Sequence, residues 1–137
     1  MSSFLGINAT LIKAYQDASI GLTTAYENDK FTPPSTDTDW AAVLVTTADV
    51  SPATSFDRGE DEHSGFMQVD FYTAQGHGTA ALLGYCETLR QAFNFGTWLV
   101  HNGVYVLPQA MSRSSTFLDG GWMRVSCTID WISRTTR

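Results

Sequence analysis

Charge is scarce in this chain. Only 16% of its 137 residues are Asp, Glu, Lys or Arg, against roughly a quarter in an average soluble domain. A surface so short of charge suits a protein that hides part of itself in an assembly. Basic residues are scarcer still: eight against fourteen acidic ones, for a net charge of −6, and only Lys13 and Lys30 are lysines. Gripping duplex DNA draws its affinity from neutralising phosphates with Lys and Arg, so that class of function is disfavoured.

Cysteine is nearly absent. Cys86 and Cys127 both fall inside apolar patterns, which points to buried thiols in a reducing compartment and away from a disulfide framework. No CxxC or Cys/His spacing suggests zinc. No apolar run approaches the ~20 residues of a membrane helix. Met1-Ser-Ser-Phe-Leu-Gly6 has neither the basic region nor the apolar stretch of a signal peptide. The expectation is synthesis in the cytoplasm, with no membrane partner and no cofactor.

What the chain does have is apolar content, 43% of its residues, enough for one core in one domain spanning residues 1–137. The clearest stretch runs from Phe66 to Phe93. Met67, Val69 and Phe71 alternate with Gln68 and Asp70, the period of a strand with one buried face. From Thr79 the period changes: Ala80, Leu83, Cys86, Leu89, Arg90 and Phe93, widened by Leu82 and Ala92, predict a helix lying on a sheet. Gly76-His-Gly78 forms the turn between them, with Thr79 as the expected helix cap.

Before this stretch, Ile7, Leu11, Ile12, Tyr15, Ala18, Leu22, Ala25 and Tyr26 predict one long helix, capped by Asn8 and ending near Asn28 and Asp29. Pro33-Pro34 forbid its continuation. Phe31 to Asp39 reads as a loop, Trp40 to Thr46 as a buried strand, and Thr47 to Ser55 as a loop with strand fragments. Phe56 to Gly65 is the most charged segment. Asp57, Glu60, Asp61, Glu62 and His63 are metal-ligand types, but consecutive carboxylates point apart and no calcium-loop spacing is present. A solvated, mobile loop is the expectation there, with no metal.

After Phe93, Thr97 to His101 and Val104 to Leu107 flank Asn102-Gly103, the strongest short hairpin signal because a type I′ turn needs positive φ at both central residues. Pro108 is expected to close the second arm. Ala110 to Phe117 reads as a further strand, and Leu118 to Gly121 as a tight turn. Trp122 to Ile132 alternates, with Val125, Cys127, Ile129 and Trp131 on one face, and Arg134 and Arg137 form a polar tail. The elements amount to an α+β domain: a mostly antiparallel sheet with two helices packed on one face.

Catalytic signatures are weak. The turn at Gly76 and Gly78 resembles a phosphate cradle only in outline, since the P-loop lysine is missing and position 81 is alanine where a dinucleotide fingerprint has its third glycine. His63, His77 and His101 lie in polar segments, and no serine sits in a GxSxG elbow. Trp40, Trp98, Trp122 and Trp131 read as core and interface anchors.

The whole order resembles the tail-terminator (tail-completion) proteins of long-tailed bacteriophages. The resemblance is carried by the N-terminal amphipathic helix, the strand at Trp40 and the acidic segment around Phe56-Asp-Arg-Gly59. Gly65-Phe-Met-Gln-Val-Asp-Phe-Tyr72, the Gly76-x-Gly78 turn into a helix ending Ala92-Phe93, and Trp122-Met-Arg-Val-Ser-Cys-Thr-Ile-Asp-Trp131 complete it. It implies a non-enzymatic virion protein that forms a ring, expected to be a hexamer of this chain, at the head-proximal end of the tail tube. There it would stop tube polymerisation, contact the tail-tube protein, and offer a surface to a neck or head-completion protein. DNA would pass the lumen without specific binding. Neck and tube proteins share this general appearance and are the near alternatives; a small nucleotide- or metabolite-binding enzyme using Gly76 and Gly78 is the distant one. Within the ring reading, Asp57, Arg58, Glu60, Asp61 and Glu62 are expected to face the lumen or a neighbouring ring, with Arg58 pairing across a subunit boundary. The hairpin residues Trp98, Asn102, Gly103 and Tyr105 are the second candidate interface, and Gly76, Gly78 and Thr79 are assigned to architecture.

Overall fold

The fold was taken from a computed structural model, which describes residues 3–27, 30–34, 38–52 and 60–136. Helix α1 (Ser3–Asp17) is followed by strands β1 (Thr23–Tyr26), β2 (Trp40–Pro52) and β3 (Glu60–Ala74), then helix α2 (Ala80–Phe93). Strands β4 (Leu99–His101), β5 (Val104–Arg113), β6 (Phe117–Asp119) and β7 (Trp122–Thr136) complete the chain. The sheet runs β1-β2-β3-β7-β5-β4, with β6 also pairing with β7. Among the described residues only β1 and β2 pair in parallel. The α+β class is as expected.

Residues directly opposite each other on neighbouring strands share a face. Ala41, Val43, Met67, Val69, Phe71, Val125, Cys127, Ile129 and Trp131 lie on one face and are buried there with Ile7, Leu11 and Tyr15 of α1 and Leu82, Cys86, Leu89 and Phe93 of α2. Both helices therefore cover the same side of the sheet. The opposite side carries neither, and is called the open face below.

Local chemistry explains several boundaries. Helix α1 stops at Asp17, well short of the expected Asn28, and Asn8 lies inside it instead of capping it. Ser19 and Gly21 take positive φ of 54° and 84°, which right-handed helix cannot accommodate. Leu22, Ala25 and Tyr26 fit the helical period but belong to or adjoin β1, where Tyr15 Oη and Thr24 Oγ1, 2.8 Å apart, tie strand to helix. In α2 the buried stripe is Leu82, Cys86, Leu89 and Phe93, whereas Leu83 is exposed. The helix ends where Asn94 turns left-handed, with φ 47°.

The strands outrun their sequence signals. Strand β2 continues through Thr47 to Pro52, past a register shift between Thr47 and Asp49. Strand β5 does not stop at Pro108. The ladder shifts register between Pro108 and Ala110, and such an irregularity tolerates a residue with no N–H to donate. Residues Ala110 to Arg113 extend the same strand. Arg134, expected in a polar tail, lies within β7.

Candidate assembly surface

The open face has two ends of different character. At the first, a row of mutually opposed side chains crosses four strands: Trp40, Tyr72, Arg124 and Phe117. Trp40 and Tyr72 stack with ring centres 3.9 Å apart, and Trp122 meets Trp40 edge-on. The Arg124 guanidinium lies 5.5 Å from the Tyr72 ring centre and 5.2 Å from that of Phe117, within the range where a cation is attracted to a ring face. It also donates to Asp70 and Asp119 at 3.0 Å each. Gln68 Nε2 donates to the Asp70 carboxylate as well. Although Trp40 Nε1 and Arg124 Nε are buried without a hydrogen-bond partner among the described residues, this end covers its own aromatic surface and pairs its charges internally.

The second end does not. Val100 and Tyr105 oppose each other across the β4–β5 hairpin. Because the neighbouring pair Leu99 and Val106 packs toward the core, alternation sends Val100 and Tyr105 to the open face. They are 57% and 52% exposed, and Trp98 is 44% exposed. Trp98, Tyr105, Glu60 and Arg134 line one groove of about 380 Å³. The Arg134 guanidinium reaches Glu62 at 3.5 Å. Two candidate surfaces drawn from separate parts of the chain are thus brought together at one end of the sheet. Asn102 and Gly103, with φ of 50° and 77°, form the expected turn.

The acidic segment is only partly where it was expected. Asp57 and Arg58 lie outside the described residues. Glu60, Asp61 and Glu62 are not in a mobile loop but form the start of β3, with Asp61 and Glu62 paired to both β2 and β7 and Glu60 to β7. Their charges are carried by a strand because ladder pairing, on both sides from Asp61 onward, outweighs local polarity. His63 is buried, with its Nε2 2.8 Å from Thr135 Oγ1 and its ring edge-on to Phe4. Among the described residues no group of three or more His, Cys, Asp or Glu is placed to hold a metal ion.

The glycine turn is a reversal of the chain. Gly76 and Gly78 have φ of 92° and 77° with no crowding at their missing side chains, so backbone conformation alone asks for glycine. Thr79 stands at the cap position without a side-chain capping bond, a correction to its expected role. Gln75 N donates to Gly121 O at 3.2 Å, bracing the turn against the β6–β7 connection. The adjacent groove contains His77, Thr73, Tyr85 and Asp39. Thr73 donates to one Asp39 oxygen at 2.7 Å and Tyr85 to the other. A carboxylate at the mouth of a glycine turn repels phosphate, so the geometry opposes the cradle reading.

Burial, and then the bond to Asp39, push the Tyr85 phenol up to about 12 from its ordinary 10. The phenol form is the one the fold favours. Its contribution is complete below pH 10 and is lost as pH rises through about 12. Alkaline spectrophotometric titration should therefore show a late-ionising tyrosine that Tyr85→Phe removes; a Tyr85 that titrates near pH 10 would contradict the assignment.

Sequence reasoning passed over Val100, Arg124 and Arg134 as interface or face-building residues. Val100 carried a signal in retrospect: it is apolar and one residue removed from the core-facing Leu99 in a two-residue-turn hairpin. Among the described residues no helix is long and apolar enough to cross a membrane.

The sequence model of a family described as phage tail terminator protein matches residues 6–131. One solved structure, bearing no functional description, superposes with a TM-score of 0.71 at 22% identity, covering 97% of this chain and 96% of that one. At that identity the likeness speaks for the fold. No curated protein matches the chain.

Proposed function

Since the chain belongs to the phage tail terminator protein family, and is therefore a structural tail protein, we propose that it forms a homomeric ring on the head-proximal end of the tail tube. There it ends tube polymerisation and presents a surface to the neck or head-completion protein. No catalysis is assigned to it.

The observation that carries the ring reading is the exposed apolar surface at the second end of the open face. Trp98, Val100 and Tyr105 leave apolar surface in water beside the edge strand β4. Aromatic residues at a sheet edge are typical anchors of protein interfaces, and an uncovered edge invites pairing unless something blocks or fills it. A ring needs a head-to-tail contact, in which this patch meets a different patch on the next copy. Six copies is the number the family resemblance suggests. The net charge of −6 suits a lumen through which DNA phosphates slide without sticking, and Glu60 to Glu62 are the residues proposed to face that lumen or a neighbouring ring.

The test combines sedimentation, electron microscopy and tail-tube assembly. Native protein should sediment as a ring, or form one on purified tubes, and should cap growing tubes at defined length. Trp98→Ser with Tyr105→Ser should weaken self-association on the order of a hundredfold, the loss expected for two anchors, while leaving far-ultraviolet circular dichroism unchanged. A native protein that stays monomeric even with tubes, or a double variant that assembles like native, would overturn the proposal.

A further inference from the structure

The two thiols expected from sequence to be buried and free are neither distant nor equivalent. Cys86 points from α2 toward the sheet, Cys127 lies in mid-β7, and their sulfurs are 3.2 Å apart. A disulfide bond is ~2.05 Å long, so the sulfurs need to close by only about 1 Å. Cys127 is fully buried, whereas Cys86 keeps a residual 4% exposure. Cys86 lines a groove of about 310 Å³ together with Leu83, Glu87, Arg90, Met111, Ser112 and Arg113. Arg113 stands directly opposite Cys127 across the β5–β7 ladder. Arg90 is already paired with Glu87 on its own helix, so Arg113 gives the groove its positive character.

We propose that Cys86 and Cys127 are a reactive thiol pair that closes to an intramolecular disulfide by exchange with an anionic low-molecular-weight disulfide entering this groove. In the first step the Cys86 thiolate attacks one sulfur of the small disulfide. A bond forms between them, the original disulfide bond breaks, and the departing thiolate takes up a proton. In the second step Cys127, losing its proton to solvent, attacks Cys86 Sγ. The Cys86–Cys127 bond forms and the second small thiol leaves. Two protein thiols are oxidised and one external disulfide is reduced to two thiols, so the exchange balances.

The order of attack follows from the environments. Cys86 accepts a hydrogen bond from the Cys127 thiol, which lowers its pKa, as does the nearby Arg113 charge; burial opposes both. The same hydrogen bond, and then burial, push Cys127 up. The less deeply buried member is the better nucleophile and the fully buried member resolves it. The consequence is a covalent tie between α2 and the central sheet, made when the protein leaves a reducing cytoplasm for an oxidising medium.

Oxidised glutathione, an anionic disulfide, is the probe. Folded native protein incubated with it near pH 8 and analysed by mass spectrometry should lose both thiols and retain no glutathione, with the Cys86 and Cys127 peptides linked. Its melting temperature should rise on the order of 10 °C, as expected for closing a loop of this length. Cys127→Ser should stop at a single glutathione attached to Cys86. The proposal is overturned if both thiols survive in the folded protein and react only after denaturation. It is equally overturned if the link forms between two copies, or if a folded Cys127→Ser acquires no adduct. Should that variant fail to fold, the presence or absence of the linked peptide in native protein still decides. Thiol chemistry is read independently of ring formation, so either idea can fail alone.

Discussion

Gly65→Ala is expected to destabilise the fold by at least about 3 kcal/mol, the upper part of the range for overpacking a core, and to lower the melting temperature by about 10 °C. A Cβ at this position would sit 2.0 Å from the carbonyl oxygen of Thr46 and 2.9 Å from Cζ2 of Trp131. The first contact is to backbone, so no rotamer change relieves it. Gly65 opposes Thr47 on one side and Trp131 on the other, and Trp131 is among the largest fully buried side chains of the chain. Only the missing side chain lets the indole and the β2 carbonyl approach the strand together. Urea denaturation measures the loss. Adding Trp131→Phe should recover little of it, because the Thr46 carbonyl remains in place. A Gly65→Ala protein within about 1 kcal/mol of native, the scale of an ordinary substitution, would show that the strands separate freely at this point.

Arg124→Ala is expected to cost about 2–4 kcal/mol, less than the 3–5 typical of breaking a fully buried pair because the cluster keeps some solvent contact. The Arg124 and Asp70 side chains are 23% and 11% exposed. Without the guanidinium, Asp70 retains Gln68 as its side-chain donor, and Phe117 and Tyr72 lose the cation between their rings. The β6–β7 hairpin then loses its anchor to the open face. Arg124→Lys should fall between, since an ammonium cannot present two separated donors to Asp70 and Asp119 while lying flat between rings. A double-mutant cycle with Asp70→Asn should show positive coupling: the pair of changes costs less than the sum. Additive costs, or an Arg124→Ala loss below about 0.5 kcal/mol, would mean that the aromatic row stands without its cation.

Several elements were legible because their signals are local. The alternation at Met67, Val69 and Phe71 and at Val125 to Trp131 marks core-facing strand residues, all of which are buried. Asn102-Gly103 takes the positive φ pair its hairpin requires. Helix α1 misled because Leu22, Ala25 and Tyr26 satisfy helical spacing by coincidence, while the break is made by two residues of positive φ, one of them the serine at 19. Glu60 to Ser64 misled in the opposite direction. Their polarity reads as loop, yet they lie in the strand, from Asp61 onward with neighbours on both sides, and hydrogen bonding across the ladder overrides propensity.

The surface shows the same division. Trp98 and Tyr105 could be singled out from the hairpin pattern, but nothing near them in sequence places Glu60 and Arg134 in the same groove. Cys86 and Cys127 could be assigned to buried faces; their 3.2 Å approach could not. By itself, then, the sequence determined the α+β class, the buried stripe of each strong element, the glycine-dependent turns, the shortage of charge and the family resemblance. These depend on near neighbours and composition. The tertiary structure alone decided strand register, which face stays open, and which distant side chains meet. Those outcomes depend on pairing between segments tens of residues apart, where a shift of one residue turns every side chain to the other side of the sheet.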